Sequence, residues 1–396
     1  MIRPTPRTGA AAVALAAAGT LLLSACNGAG GDGGGSGELK LGVILPLSGP
    51  AADLGKKSRE GIDLYAETAN KAGGVDVGGK KAKVKVVYCD SEYQSAKAVT
   101  CGRKLASRDG AAAVLTATSV DTLPLMSFNQ QKGQEFIINT SAATDKVVQS
   151  GNKFISRYWF ATSAYMPGTG KLLAQANTRD KLGIDKIAVL GTDDEFGTGW
   201  ANDFAKGAEA AGFPAVRKAS FKAGTTDLYP QLTPLITGGA NLLALPLTCD
   251  MAASTVKQAR QLGYKGRFMF MLACDADDVA GKLGGPKKLA GSLFESGPWN
   301  SGGTAEAEFQ KAFQAKFGRR GDPSASTMYS QASWLATAAS VAGSTDPVKM
   351  RAAMPKALDE SANTLGITGM QPNGEVTGTV HLRLVGDDGA YREITE

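Results

Sequence analysis

From residue 39 to the C-terminus, short apolar runs alternate with stretches of helical spacing almost without a break. Residues 39–47 and 84–88 read as strands and residues 55–72 and 95–107 as helices, with Gly73-Gly74 stopping the first helix. A second series begins near Lys186, with strands at 187–190, 216–221, 242–245 and 268–272 and helices at 196–211, 228–237 and 251–262 between them. Such a succession packs as a mostly parallel sheet with helices on both faces. The expected fold class is therefore α/β, with two doubly wound parallel-sheet lobes. Helices near 305–317, 326–342 and 348–358 follow, and a hairpin around Gly386-Asp387-Asp388-Gly389 closes the chain.

Two strand-to-helix switches lie close together in the first series. Val114-Leu115-Thr116-Ala117-Thr118-Ser119 breaks into hydroxyls before Asp121, and Phe136-Ile137-Ile138-Asn139-Thr140-Ser141-Ala142-Ala143-Thr144 repeats the design. Residues 123–132, between them, read as a helix. Ligands of open α/β sheets sit outside the carboxyl ends of the strands, where the next helices present free N–H groups and the positive end of a dipole. Ser119 and Thr144, at the two tips, are candidates for cradling a carboxylate. Both residue types are also ordinary N-caps, and the two roles are compatible.

The N-terminus reads as an export signal. Arg3 and Arg7 precede an apolar stretch at 10–23 that is short for a membrane span, and Leu23-Ser24-Ala25-Cys26 has the form of a bacterial lipobox. Residues 1–25 are expected to be a signal peptide and Cys26 the lipidated N-terminus of the mature chain. The plain alternative is a signal peptide cut after Ala25, with Cys26 incidental. Residues 26–38 are rich in glycine and read as a flexible tether. The expected location is the extracellular face of the cell membrane, with the lipid as the membrane anchor. An exported compartment permits disulfides. Cys89, Cys101, Cys249 and Cys274 allow three pairings. Their places in the strand–helix pattern favour Cys89 with Cys101 and Cys249 with Cys274, the alternative being four buried thiols.

Catalytic signatures are missing. The 43 basic side chains are scattered along the 396 residues, which leaves no nucleic-acid footprint. Between Gly49 and Lys57 the spacing is one residue too long for a phosphate-binding loop, and Lys57 stands where a hydroxyl should hold magnesium. Gly168-Thr169-Gly170 lacks the third glycine of a dinucleotide loop. With His381 the only histidine, neither a Ser–His or Cys–His nucleophile pair nor a zinc site is supported. No enzyme, no metal and no cofactor is expected. An exported, tethered, two-lobed α/β chain of this kind reads as a receptor for a small ligand, expected to be a monomer.

Leu41-Gly42-Val43-Ile44-Leu45-Pro46-Leu47-Ser48-Gly49-Pro50, followed by Gly61 and Ala72-Gly73-Gly74, resembles the opening of the Leu/Ile/Val-binding protein family. Further matches are Tyr88-Cys89-Asp90-Ser91, the 139–144 segment, Asp194-Glu195-Phe196-Gly197 and Gln258-Ala259-Arg260. Members of that family are the solute receptors of branched-chain amino acid ABC importers. The resemblance implies a type I periplasmic binding protein, with two lobes joined by three crossings that close on a ligand by hinge motion. It implies an ABC permease and its ATPases as partners. Ser119 and Thr144 fall on the family's carboxylate-binding positions. A carbonyl near Ala142 would take the ligand's ammonium, and Phe196 would cover the ligand, though it also suits a helix start.

The second half of the implied ammonium site is an acid after the strand that ends Met271-Leu272-Ala273. Asp275 is the candidate, because a buried ammonium needs a paired charge; a helix N-cap is its other reading. Thr248, Cys249 and Asp250 stand where the family often has Tyr, and Leu54 where some relatives carry Trp. The implied lobes comprise residues 39–160 plus 299–362 and residues 161–298 plus 363–396. Hinge candidates are residues 160–164, 297–300 and 361–366. The expected function is capture of a small amino acid, branched-chain or similar, for an ABC importer. The alternatives are an amide, a urea-like compound or an aromatic carboxylate on the same fold, or a ligand-sensing lipoprotein without transport.

Overall fold

Strand β1 (Glu38–Leu45) is the centre of the first sheet. Leu39, Leu41, Val43 and Leu45 bury against one helical layer and Ile44 against the other, so the strand reads as an unbroken apolar run. The computed structural model describes residues 37–297 and 303–395. The expected signal peptide, the expected lipidation site at Cys26 and all but the end of the expected tether lie outside the described residues.

After β1 come α1 (Ala52–Lys71), β2 (Val75–Val77), β3 (Lys80–Asp90), α2 (Ser95–Arg103), β4 (Ala113–Thr116), α3 (Ser119–Leu125), β5 (Ile137–Thr140), α4 (Lys146–Gln149) and β6 (Ile155–Arg157). The sheet order is β2-β3-β1-β4-β5-β6, parallel throughout except for the β2–β3 hairpin at its edge. The chain then crosses to α5 (Thr162–Arg179), β7 (Ile187–Thr192), α6 (Glu195–Ala210), β8 (Arg217–Phe221), α7 (Tyr229–Thr237), β9 (Leu242–Leu245), α8 (Cys249–Gln261), β10 (Arg267–Phe270), α9 (Ala276–Leu283) and β11 (Leu293–Ser296). It crosses back to α10 (Thr304–Phe317), α11 (Pro323–Ala342), α12 (Pro347–Glu360) and the small ladder of β12 (Gly369–Met370) with β13 (Val376–Thr377). A third crossing leads to β14 (His381–Val385) and β15 (Tyr391–Ile394), which add antiparallel to β11. The second sheet runs β15-β14-β11-β10-β9-β7-β8. In both sheets the second and third parallel strands flank the first, the doubly wound order whose switch point opens a crevice.

The sequence pattern and the structure differ in instructive places. The helix expected at 123–132 is α3, which begins at Ser119 and ends at Leu125. Its start is fixed by Thr118, whose side chain accepts from the Asp121 N–H, and Pro124 inside it removes a donor. Helix α5 is hidden in the sequence by Pro167, Gly168 and Gly170. Those glycines allow close packing: a Cβ on Gly170 would stand 2.1 Å from the Gly207 carbonyl oxygen of α6, and one on Gly207 2.3 Å from that of Met166. Leu365, Ile367 and Val376 bury in the core of the first sheet. Among the described residues no helix is long and apolar enough to cross a membrane.

Candidate ligand-binding cleft

The carboxyl ends of both sheets face one cavity, with about 770 Å³ of empty space including the part open to solvent. The first lobe lines it with Ala117, Thr118 and Ser119 after β4, Ser141, Ala142 and Ala143 after β5, and Trp159 after β6. The second lobe contributes Thr192 at the end of β7 and Phe196 beyond it, Pro246 and Thr248 after β9, and Met271, Leu272 and Ala273 after β10. Leu54 and Ser58 of α1, Tyr93, Tyr165 and Met251 complete the walls, with Ser324 and Thr327 of α11.

The two tips of the first lobe are tied together from below. Thr116 and Thr140 are register partners on β4 and β5, and Thr122 bridges their hydroxyls at 2.8 and 2.7 Å. The Ala142 N–H donates to Thr140 Oγ1 at 2.9 Å. Thr118, not Ser119, caps α3: its Oγ1 accepts from the Asp121 N–H at 3.1 Å and donates to the Asp121 carboxylate at 2.8 Å. That reciprocal arrangement frees Ser119, the first residue of the helix. Ser119 is 1% exposed and its Oγ has no hydrogen-bond partner. Burial pushes the Asp121 carboxyl up to about 7, against the pull of bonds from Ser91 and Thr118.

Arg157, at the end of β6, is wholly buried and fixes the second tip. Its Nη1 donates to the carbonyl oxygens of Ala142 and Thr144, 2.9 Å each, and its Nη2 to Glu375 at 2.8 Å. The adjoining Ala143 carbonyl accepts from the Thr162 N–H at 3.2 Å, where the first crossing enters α5. The backbone of the 142–144 segment, of which Ala142 and Ala143 line the cavity, is thus clamped by a cation.

On the second lobe, Cys249 and Cys274 are bridged with their Cα atoms 5.0 Å apart, joining the tips after β9 and β10. Cys89 and Cys101 form the other bridge, Cα atoms 5.7 Å apart, below the tip after β3. Thr248 occupies the N-cap of α8, yet its hydroxyl makes no capping bond and is buried without a partner. Ser58 Oγ is in the same condition. Behind Tyr165 and Leu272 lies Glu295, whose Oε2 accepts from the Tyr165 hydroxyl at 3.2 Å and the Leu272 N–H at 2.8 Å; burial pushes its carboxyl up to about 8.

Polar bonds span the cleft at both edges. The Tyr93 hydroxyl donates to Asp194 at 2.7 Å, and Lys146 pairs with Glu195 at 2.8 Å. At the other edge Lys57 of α1 pairs with Asp278 of α9. Tyr93 and Glu92 have left-handed backbone, φ +60° and +51°, which non-glycine residues rarely adopt. Hydrogen bonds from their N–H groups to Asp90 and Ser91 hold them there.

A family model for periplasmic binding proteins matches residues 38–389. The chain belongs to that family. This binding protein is 26% identical over 323 residues to the leucine-, isoleucine-, valine-, threonine- and alanine-binding protein of Pseudomonas aeruginosa, covering 80% of this chain and 82% of the relative. Its fold superposes on a leucine-binding protein from Thermotoga maritima with a TM-score of 0.76 at 22% identity, over 90% of this chain and 98% of the other. It superposes equally well on an ABC-transporter solute-binding protein from R. palustris solved with benzoate, with a TM-score of 0.75 at 17% identity over 90% and 95% of the two chains.

Of the residues singled out in the sequence of this binding protein, Leu54, Ser119, Ala142, Phe196 and Thr248 come together in the cavity. Thr144 does not line it; its hydroxyl donates to Glu195 at 3.4 Å beside a second, polar groove. Asp275 does not line it either: its side chain accepts from the Asp277 and Asp278 N–H groups and caps α9. Asp250 pairs with Lys282 at 3.1 Å, outside the cavity. Sequence reasoning missed Ser58, Tyr93, Trp159 and Arg157. Only Tyr93 had a nearby signal, in the Tyr88-Cys89-Asp90-Ser91 motif that precedes it.

Proposed function

We propose that this protein captures a small carboxylate-bearing solute between its lobes and delivers it to the permease of an ABC importer, held at the outer face of the membrane by lipid on Cys26. The reading is carried by Ser119 and Thr248, buried hydroxyls without partners that line one cavity from opposite lobes. A buried hydroxyl left without its bond costs about 1–3 kcal/mol, which a ligand supplying the bond recovers. The apolar walls around them suit the body of such a solute. Thr144 joins the site only indirectly, through its bond to Glu195 and the clamp on its carbonyl. A small amino acid, branched-chain or similar, belongs to this class and is supported by the name of the P. aeruginosa relative. An amine-free carboxylate belongs to it too and is supported by the benzoate of the R. palustris neighbour.

Closure is the proposed capture step. The Tyr93–Asp194 and Lys57–Asp278 bonds form as the lobes approach, and bending at the three crossings brings them together. A thermal-shift screen against amino acids, simple carboxylates, amides and urea tests the reading. A ligand present at 100 times its Kd stabilises by about 2.7 kcal/mol and raises the melting temperature. A cooperatively folded protein that shifts with no compound in the screen overturns it.

A further inference from the structure

The residues lining the cavity between the sheet ends include no Asp, Glu, Lys, Arg or His among the described residues. An α-ammonium buried there needs an anion or an uncommitted carbonyl, because an unpaired cation in such a place is strongly disfavoured. The candidate carboxylates and the Ala142 and Thr144 carbonyls are engaged elsewhere. Asp275 is the cap of α9 and stands outside the lining. Asp121 and Glu295 lie behind the wall, bonded to Thr118 and to Tyr165 and Leu272, and burial raises both carboxyls so that Glu295 keeps its proton at neutral pH. The Ala142 and Thr144 carbonyls already accept from Arg157. An ammonium placed on Ala142 would share one oxygen with a guanidinium, two cations on a single acceptor.

Donors, by contrast, are in surplus. Ser58, Ser119 and Thr248 bring three buried hydroxyls without partners. Thr248 sits at the amino end of α8, a 13-residue helix whose dipole favours negative charge there, and its hydroxyl is not spent on the cap. Leu54, Trp159, Phe196, Met251, Met271 and Leu272 supply apolar wall for the rest of the ligand.

We propose that the ligand is an amine-free monocarboxylate with an aryl or branched-alkyl body, and that the cleft discriminates against the corresponding α-amino acids. This inference rests on the solute-receptor reading above and narrows it. The carboxylate takes the free hydroxyls, Ser119 first, and the α-carbon lies against a wall with nothing to balance a positive charge.

Matched probes test it by calorimetry on the purified protein, freed of any co-purified ligand. L-leucine is compared with 4-methylpentanoate and 4-methylpentanamide, and L-phenylalanine with 3-phenylpropanoate and its amide. The expected result is that at least one acid binds about tenfold or more tightly than its amino acid and than its amide. In Ser119→Ala that acid should lose about tenfold or more in affinity, and in Asp275→Asn it should lose none. An amino acid binding as tightly as its acid, or an affinity for it that falls in Asp275→Asn, overturns the proposal and leaves the receptor reading standing. Amides binding more tightly than acids overturn it likewise. Silence across all six probes, in protein with a cooperative melting transition, overturns the proposal; the wider screen then decides the receptor reading separately.

Discussion

Replacing Tyr93 with Phe removes one hydroxyl whose partner lies in the other lobe, and so perturbs closure through one identifiable bond. The 2.7 Å bond runs to a carboxylate, Asp194 Oδ2, and the half-buried tyrosine lines the cavity. Burial and the neighbouring Asp194 push the phenol well above its usual range, so it stays protonated and donates. Hydrogen bonds to charged groups contribute about 1.5–3 kcal/mol net. On the closure proposed above, both groups are hydrated in the open form and the bond is absent. If the open form dominates without ligand, the whole loss appears in the apparent affinity, which weakens by about 10- to 150-fold. Because Tyr93 also lines the cavity, the single variant mixes closure with ligand contact, and a double-mutant cycle with Asp194→Ser separates them. Serine keeps the cap that Asp194 gives α6 through the Gly197 N–H, so the helix start is preserved. Calorimetric affinities across the cycle should give a coupling of about 1.5–3 kcal/mol, with the melting temperature of ligand-free protein nearly unchanged. Additivity of the two substitutions within about 0.5 kcal/mol refutes the claim that this bond latches the cleft.

Three further outcomes are expected. Glu295, held up near about 8 by burial, keeps a proton that the unfolded chain has released above its ordinary value of about 4.3, so stability falls as pH rises from about 5 through 8. Asp121 and Glu306, each pushed up to about 7 by burial, act in the same direction. Glu295→Gln should flatten the dependence of melting temperature on pH over that window, and a slope equal to wild type means that Glu295 is ionised in the fold. Unreduced mass spectrometry should find both bridges, Cys89–Cys101 and Cys249–Cys274, and the paired Cys249→Ala/Cys274→Ala variant should lose about 2–4 kcal/mol in a denaturant titration, as expected for closing a loop with a 25-residue separation. Cys26→Ser should release the protein from the membrane fraction; a variant that stays membrane-bound removes the lipid-anchor assignment.

The local part of the design was legible and the long-range part was not. Strands and helices could be placed because apolar periodicity and Gly73-Gly74-type stops are properties of neighbouring residues. A hydroxyl after a strand is a local signal, which is why Ser119 stands out as a candidate, but the sequence could not tell that Thr118 would take the cap and leave Ser119 free. That division of labour depends on Asp121 three residues later, which completes a reciprocal cap. Asp275 shows the same local rule cutting the other way: an acid at the right place in the lobe was a candidate counter-charge, and the two N–H groups that follow it claimed the carboxylate for α9.

Arg157 is the residue no local pattern reveals, and it carries the most consequence. In the sequence it is one basic side chain among 43. In the fold it becomes the register partner of Thr140, and the side chain reaches around the end of β5 to the carbonyls of Ala142 and Thr144. Its charge is balanced from 218 residues away by Glu375, in the turn between β12 and β13 that precedes the third crossing. Breaking one side of such a buried pair is strongly destabilising, about 3–5 kcal/mol, because the other charge is left unpaired. The guanidinium therefore cannot leave the carbonyls without disturbing the crossing, and the crossing cannot move far without disturbing the 142–144 tip. A segment that looks like an ordinary hydroxyl-rich turn is in this way made a rigid wall, with its carbonyls committed to Arg157 and Thr162 and tied to the segments that join the two sheets.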